Sequence, residues 1–510
     1  MRVINYNQQF WQLSLLLFFL KALVANSIEL GNDEVYYYTY ALQLDWNHFD
    51  HPPLIGLLIR LTTLNLYWLN DFTMRLGAIL SSIWGAYFLY KSGSLFFNEK
   101  TGFVASVIYQ LSVYSGVIAG LFIMPDSVQM LFYMPALYLM AKIIKQNSFT
   151  LKQGILLGLL IGLAALSKVH GLYLWGGFGL FILLRKRAFL QSPGLYIGVL
   201  ITIICLTPIV YWNIANDFIT YRFHANRVTN QSIQWDSFFR EIVGEILYQN
   251  PVIFACIAWS AFYYRSKITQ RWSDTAVWIS CMSVPMLFLF WYISLHNDTF
   301  PHWSGPAYIP LFLVAANFLT NRFSKLVSFP LKMASYLVLI VITAAISLSN
   351  WAPFHLGSKE DAKMGEYCPT LDISGWNDFG IKFKALHEAN VANNRMEAQS
   401  PILVGNWFPG GHLLFYVANK THQPLMGIGE ITKIHKFAWL NNQLPNLKVG
   451  QNAYCIVPSN LPFNELTELK SYFISTEKMQ IPQIRGGKMV RYFTVYELIG
   501  LKKPLLIPKL

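Results

Sequence analysis

Two short segments near the N-terminus carry the side chains best suited to chemistry: Asp33-Glu34-Val35-Tyr36-Tyr37-Tyr38, then Asp45-Trp46-Asn47-His48-Phe49-Asp50-His51-Pro52-Pro53. A carboxylate held beside a hydroxyl acts as a general base. A carboxylate next to an imidazole offers donors to a hard divalent cation, and such a cation neutralises phosphate. Pro52 and Pro53 set the backbone and break any helix, so Asp50 and His51 are held at a defined point. No three-ligand metal motif is visible, and the expectation of a divalent cation rests on Asp50.

The surroundings of these segments are a membrane. Hydrophobic residues make up 54% of the 510-residue chain and charged residues 13%, against roughly 25% charged in an average soluble domain. Apolar runs near the ~20 residues needed to cross a bilayer recur to about residue 350. Spans are expected near 9–26, 73–90, 102–119, 126–141, 153–167, 171–184, 195–213, 248–264, 274–294, 305–320 and 331–350, about eleven in all, with an interruption at Lys168 and His170.

The net charge of +13 does not point to nucleic acid, because the basic residues fall in short connections between spans. Lys91 and Lys100; Lys142, Lys145 and Lys152; Arg185, Lys186 and Arg187; Arg265, Lys267 and Arg271; and Arg322, Lys325 and Lys332 occupy alternate connections. By the positive-inside rule these are cytoplasmic, which places the N-terminus inside and the C-terminus outside. The acids then gather on the opposite face, with Asp33, Glu34, Asp50, Asp126, Glu241 and Glu245 among them. Loop acids are usually just solvated. Asp33-Glu34 is the exception to weigh, because an acid bordering the bilayer is costly unless paired or used.

After Trp351 the chain turns more polar, with short alternating segments between Gly, Pro and Asn turns. Strands are expected at 401–405, 453–458 and 491–498, an amphipathic stretch at 412–418 and a helix at 381–390. The chain therefore divides into a transmembrane part, 1–350, with a polar first outer loop at 26–72, and an α/β domain, 351–510. Cys368 and Cys455 fall in that outer domain, but no spacing rule pairs them.

The order Asp33-Glu34-Val35-Tyr36-Tyr37, Asp50-His51-Pro52-Pro53-Leu54, Arg75-Leu76 resembles the first outer loop of polyprenyl-phosphate-sugar glycosyltransferases of GT-C fold. More narrowly it is similar to the bacterial branch of the dolichyl-phosphate-mannose protein mannosyltransferase family, which includes the lipid A aminoarabinose transferases. Met124-Pro125-Asp126, Leu166-Ser167-Lys168-Val169-His170-Gly171, Pro301-His302-Trp303-Ser304-Gly305-Pro306-Ala307-Tyr308 and Leu371-Asp372-Ile373-Ser374-Gly375-Trp376 follow in the family's order.

The resemblance implies an inverting membrane transferase that takes a sugar from a polyprenyl-phosphate donor and passes it to a lipid, glycan or protein hydroxyl. It implies a location in the bacterial cytoplasmic (inner) membrane, with membrane lipids around the protein and no nucleic acid. Asp33 matches the family's catalytic Asp and is expected as base, with a helix cap or a tyrosine-bonded structural acid as the alternative; Glu34 would orient the acceptor or assist the metal, with a purely structural role as the equal alternative. Asp50 falls where the aminoarabinose transferases carry a metal-binding Glu. His51 stands in place of a phosphate-contacting Lys, a departure, because His is only partly cationic near neutral pH.

Positive charge for the departing phosphate is expected from Arg75, Lys168, His170, Arg222 and Arg227 together with His51. Tyr37, Asp126, His302 and Tyr308 are expected along the substrate cavity. A transporter or flippase also has many spans and intramembrane charges, but would show paired broken helices or internal repeats. Neither is visible here.

Overall fold

Each apolar run in the first 350 residues winds into helix in the computed structural model, which describes residues 5–226, 232–265, 273–323 and 328–510. Among the described residues, six helices are long and apolar enough to cross a membrane: Tyr6–Ser27, Asp71–Phe96, Pro125–Gln146, Pro193–Ala215, Asp274–Ser294 and Phe329–Asn350. Trp235–Tyr248 and Pro251–Tyr264 pass the same test only together, and they bend by 99° between them. The remaining expected spans are shorter helices. The run at 102–119 is split into Glu99–Leu111 and a π-helical turn at Tyr114–Ile118, and the next two become Leu151–Ser167 and Tyr173–Arg185. At ~1.5 Å per residue a helix of that length falls short of a ~30 Å hydrocarbon core. The protein is an integral membrane protein whose helices are of mixed length.

The break between the latter two helices has a local cause. Lys168 is extended (φ −154°, ψ 129°), and Val169–Leu172 forms a 3-10 turn before helix resumes. Leu151–Ser167 in turn packs tightly on Pro193–Ala215. A methyl group on Gly154 would strike the Gly194 backbone, and one on Gly158 that of Gly198. Glycines four apart let membrane helices approach to backbone contact. Thr202 Oγ1 seals the seam, donating to the Gly158 carbonyl at 2.8 Å and accepting from Trp175 Nε1 at 2.9 Å.

Two compact units emerge, and they do not follow a cut at residue 350. The membrane unit comprises Met1–Leu23, Asp50–Trp68 and Phe72–Val341; the second comprises Val24–Phe49, Leu69–Asp71 and Ile342–Leu510. The first polar loop is thus divided, and its acidic part folds with the C-terminal residues. The reason is a set of polar anchors that hydrophobic patterning does not encode. Glu29 accepts from the Trp376 and Asn377 backbone N–H groups at 2.8 and 3.0 Å, capping helix Trp376–Ala392. Leu30 N–H donates to Tyr416 Oη at 2.7 Å, and that hydroxyl donates to Asp71 at 2.7 Å. Farther along, Tyr36 lies against Trp407 and Tyr38 against Phe415.

The second unit is built on a five-stranded mixed sheet, with β1 at Ile402–Val404, β2 at Leu425–Gly427, β3 at Ala453–Pro458, β4 at Phe473–Arg485 and β5 at Lys488–Leu501. The spatial order is β2-β1-β3-β5-β4, with β1 parallel to β2 and β3, and β5 antiparallel to β3 and β4. The expected strands at 401–405, 453–458 and 491–498 and the helix at 381–390 lie within observed elements, while β2 and β4 are additional. Arg485 on β4 donates to the Ser349 and Ala352 carbonyls at 3.2 and 2.7 Å, satisfying the end of helix Phe329–Asn350. All five cysteines are free thiols.

Candidate active site

Within the second unit, Asp33 and Glu34 lie in the first turn of helix Asn32–Leu42, which Gly31 caps. Their neighbours separate their chemistry. Glu34 is buried, and its Oε2 accepts from the Gly31 N–H at 2.8 Å, the return half of a capping box. Asp33 is exposed in the same turn. A carboxylate there is favoured by the helix dipole and reaches outward. Tyr37 is buried, its ring against those of Tyr36 and Tyr40.

Below this helix start lies a polar network in the same unit. Asn32 connects to His412 (3.1 Å) and to Asp372 (3.3 Å), and His412 stacks on Trp376. Arg491, fully buried, donates to Gln483, Asn460 and the Ser374 carbonyl and lies over the Trp376 ring. Burial lifts Glu29 to about 6 against the pull of its two backbone donors. These residues hold Asp33 in register, and Leu371–Trp376 is where the loop docks.

In the membrane unit, the structure joins two residues that sequence named separately. Lys168 Nζ lies 2.9 Å from both carboxylate oxygens of Asp126, and both side chains are about 5% exposed or less. Tyr114 Oη donates to Asp126 at 3.0 Å, and Gln129 holds the Lys168 carbonyl. An ammonium has three N–H donors, so Asp126 takes two of them. The buried Nδ1 of His170 has no hydrogen-bond partner among the described residues, and its ring stacks on Phe290. Arg75, wholly buried in helix Asp71–Phe96, lies over the Phe122 ring.

His51 and His302 feel the same ion pair. Burial pushes His51 down to about 4, with Asp50 pulling it back and Lys168 adding to the fall. Burial, then Lys168, takes His302 to about 4 as well. Burial thus favours the neutral form of both rings.

The sign of the linkage follows. An unfolded His binds a proton as pH falls through about 6.5, whereas these two do so only near 4. Stability is complete above about 6.5 and drops between there and 4. The double variant H51Q/H302Q is expected to show a flatter fall of unfolding midpoint across that window than wild type. Parallel curves for the two proteins would remove this assignment.

Asp50 supplies one carboxylate, 4.0 Å from His51 Nε2, and its carbonyl accepts from the His224 ring. Among the described residues, no group of three or more His, Cys, Asp or Glu gathers where a metal ion would sit. Asp50 and His51 are the two donors that would face a cation there. Arg222 is exposed and donates to the Asp217 carbonyl. Arg227 lies outside the described residues.

Sequence reasoning placed Tyr308 in the cavity but missed what holds it. Helix Trp235–Tyr248 carries Glu241 and Glu245 one turn apart, both buried. Glu245 accepts from Tyr308 Oη and Trp291 Nε1, each at 2.9 Å; Glu241 accepts from Thr299 at 2.8 Å and Ser304 at 3.4 Å. The i,i+4 spacing of Ser237, Glu241 and Glu245 along one face of a largely apolar helix was the available signal.

Residues 50–212 match the dolichyl-phosphate-mannose-protein mannosyltransferase family. The lipid A galacturonosyltransferase RgtD of Rhizobium johnstonii is 23% identical over 304 residues, 58% of this chain. That match spans 61% of RgtD, less than two thirds of its length. ArnT from Cupriavidus metallidurans bound to undecaprenyl phosphate has the same fold, with a TM-score of 0.62 at 14% identity over 96% of this chain and 98% of that one. Its apo form aligns at 0.58, again at 14% identity, over 96% and 97%. The resemblance to the GT-C transferases is borne out in sequence over 50–212 and in fold over nearly the whole chain.

Proposed function

We propose that this chain transfers a sugar from a polyprenyl-phosphate donor to a hydroxyl of a lipid, glycan or protein at the outer face of a bacterial cytoplasmic membrane. The charged connections support an N-terminus inside and a C-terminal α/β domain outside. The observation that carries this reading is the family match over residues 50–212, which contains His51, Arg75, Asp126 and Lys168 in motif order. The matched names, a mannosyltransferase family and a galacturonosyltransferase, favour a transferase over a transporter. ArnT's undecaprenyl phosphate supports a polyprenyl carrier.

The acceptor oxygen attacks the anomeric carbon and its proton passes to Asp33. The bond from that carbon to the phosphate oxygen breaks, polyprenyl phosphate leaves, and the configuration inverts. Arg75 supplies full positive charge to the phosphate, Lys168 its remaining N–H, and neutral His51 and His170 hydrogen bonds. Fixed donors in a dry site stabilise such charge without reorganisation.

The test is release of polyprenyl phosphate by the purified protein in lipid discs, across donors carrying a hexose, a uronic acid or an amino-pentose, with each acceptor class. One donor should be consumed. If none is consumed with any acceptor, the reading fails. Chelator in the same assay decides the cation at Asp50: lost turnover supports it, and unchanged turnover removes it.

A further inference from the structure

The second unit holds a cavity of about 630 Å³ that the reaction above does not use. Small-molecule sites occupy about 300–1,000 Å³. Its position follows from the sheet. The chain leaves β1 for β2 on one side, and β3 then pairs with β1 on the other. In sheets with parallel strands the crevice at the carboxyl ends of two strands that part in this way is where ligands bind. The cavity is lined by Leu403 to Asn406 on and after β1, by Cys455 to Pro458 on β3, and by Asn460 and Leu461 after it.

The lining defines the ligand. Phe408, Phe463 and Tyr367 supply aromatic faces, and Asn406, Asn464 and Asp372 supply hydrogen-bonding groups. Gly405 lets the Phe463 ring lie directly on the end of β1, since a methyl group there would collide with it. Tyr367 is 89% exposed and holds φ at +65°, a left-handed conformation that is strained for an aromatic residue. Folding alone gains little from such a residue. Charge excludes anions: Glu366, Asp372 and Glu465 line the cavity against Lys433, which is paired to Glu465 at 2.7 Å.

Aromatic faces beside carboxamides and carboxylates suit a ring with an apolar C–H face and a rim of hydroxyls. We infer that this cavity binds a neutral or amine-bearing sugar ring. Its role as the seat of a glycan acceptor rests on the transferase reading, whereas sugar binding itself does not.

The experiment is saturation-transfer NMR on the full chain in lipid discs with methyl glucoside, methyl mannoside, methyl galactoside and methyl glucosaminide, and galacturonic acid as the anionic comparison. At least one of the first four should bind, and galacturonic acid should not. Tyr367→Gly removes the ring and suits the backbone; Asn464→Ala removes a surface carboxamide. Each should weaken binding about tenfold with the unfolding midpoint unchanged, while Asp33→Asn, deficient in turnover, should bind as wild type does. Binding of none of the four, equal binding of galacturonic acid, or wild-type affinity in both cavity variants overturns the inference. Failed turnover with sugar binding intact counts against the transferase reading alone.

Discussion

Asp33→Asn is expected to lower sugar transfer by about 10²- to 10⁴-fold, the range a positioned general base contributes. Loss of its charge at the helix start should by itself cost the fold little. Asp33 is exposed in the first helical turn, where a negative charge adds only about 0.3–1 kcal/mol. The neighbouring acid is the control. Glu34 is buried and bonded to Gly31, so Glu34→Ala should lower the unfolding midpoint as well as activity. Turnover at saturating donor and thermal unfolding in the same lipid discs check both. Wild-type turnover in Asp33→Asn would remove Asp33 from the mechanism.

Lys168→Met should cost about 3–5 kcal/mol of stability, the usual result of leaving one member of a buried ion pair alone. Asp126 would then keep only Tyr114 among the two partners described for its carboxylate. Replacing both charges, as in D126N/K168M, removes the stranded carboxylate and should recover much of that loss. Neither variant should regain turnover if the third Lys168 N–H meets the phosphate. Unfolding midpoints and donor turnover of the single and double variants separate the two effects. A double variant no more stable than the single one would show that the pair does not hold this region together.

Helix positions in the membrane unit were legible because each apolar run forms a helix, and the break at Lys168 and His170 lies where a lone charge interrupts two such runs. Pairing was not legible: Asp126 and Lys168 are 42 positions apart, and nothing local links them. The acidic loop was read as part of the membrane half because it lies between spans. Its actual allegiance comes from side-chain to backbone bonds such as Glu29 to Trp376, which leave no periodic trace.

In the sheet, β2 has three residues, too few to show alternation. The long strand β4 carries Glu477, Lys478 and Pro482 and is largely exposed. Charge and proline are how an edge strand avoids pairing with another chain, and they are also what disguises it in sequence.

The glycine seam between helices Leu151–Ser167 and Pro193–Ala215 bears on which helices of the membrane unit can part. Turning either helix by one residue, about 100°, would drive a bulkier side chain into space that does not admit a methyl group. With no layer of side chains between them to repack, the two helices travel as one plank. Crosslinks across this seam should therefore leave turnover unchanged.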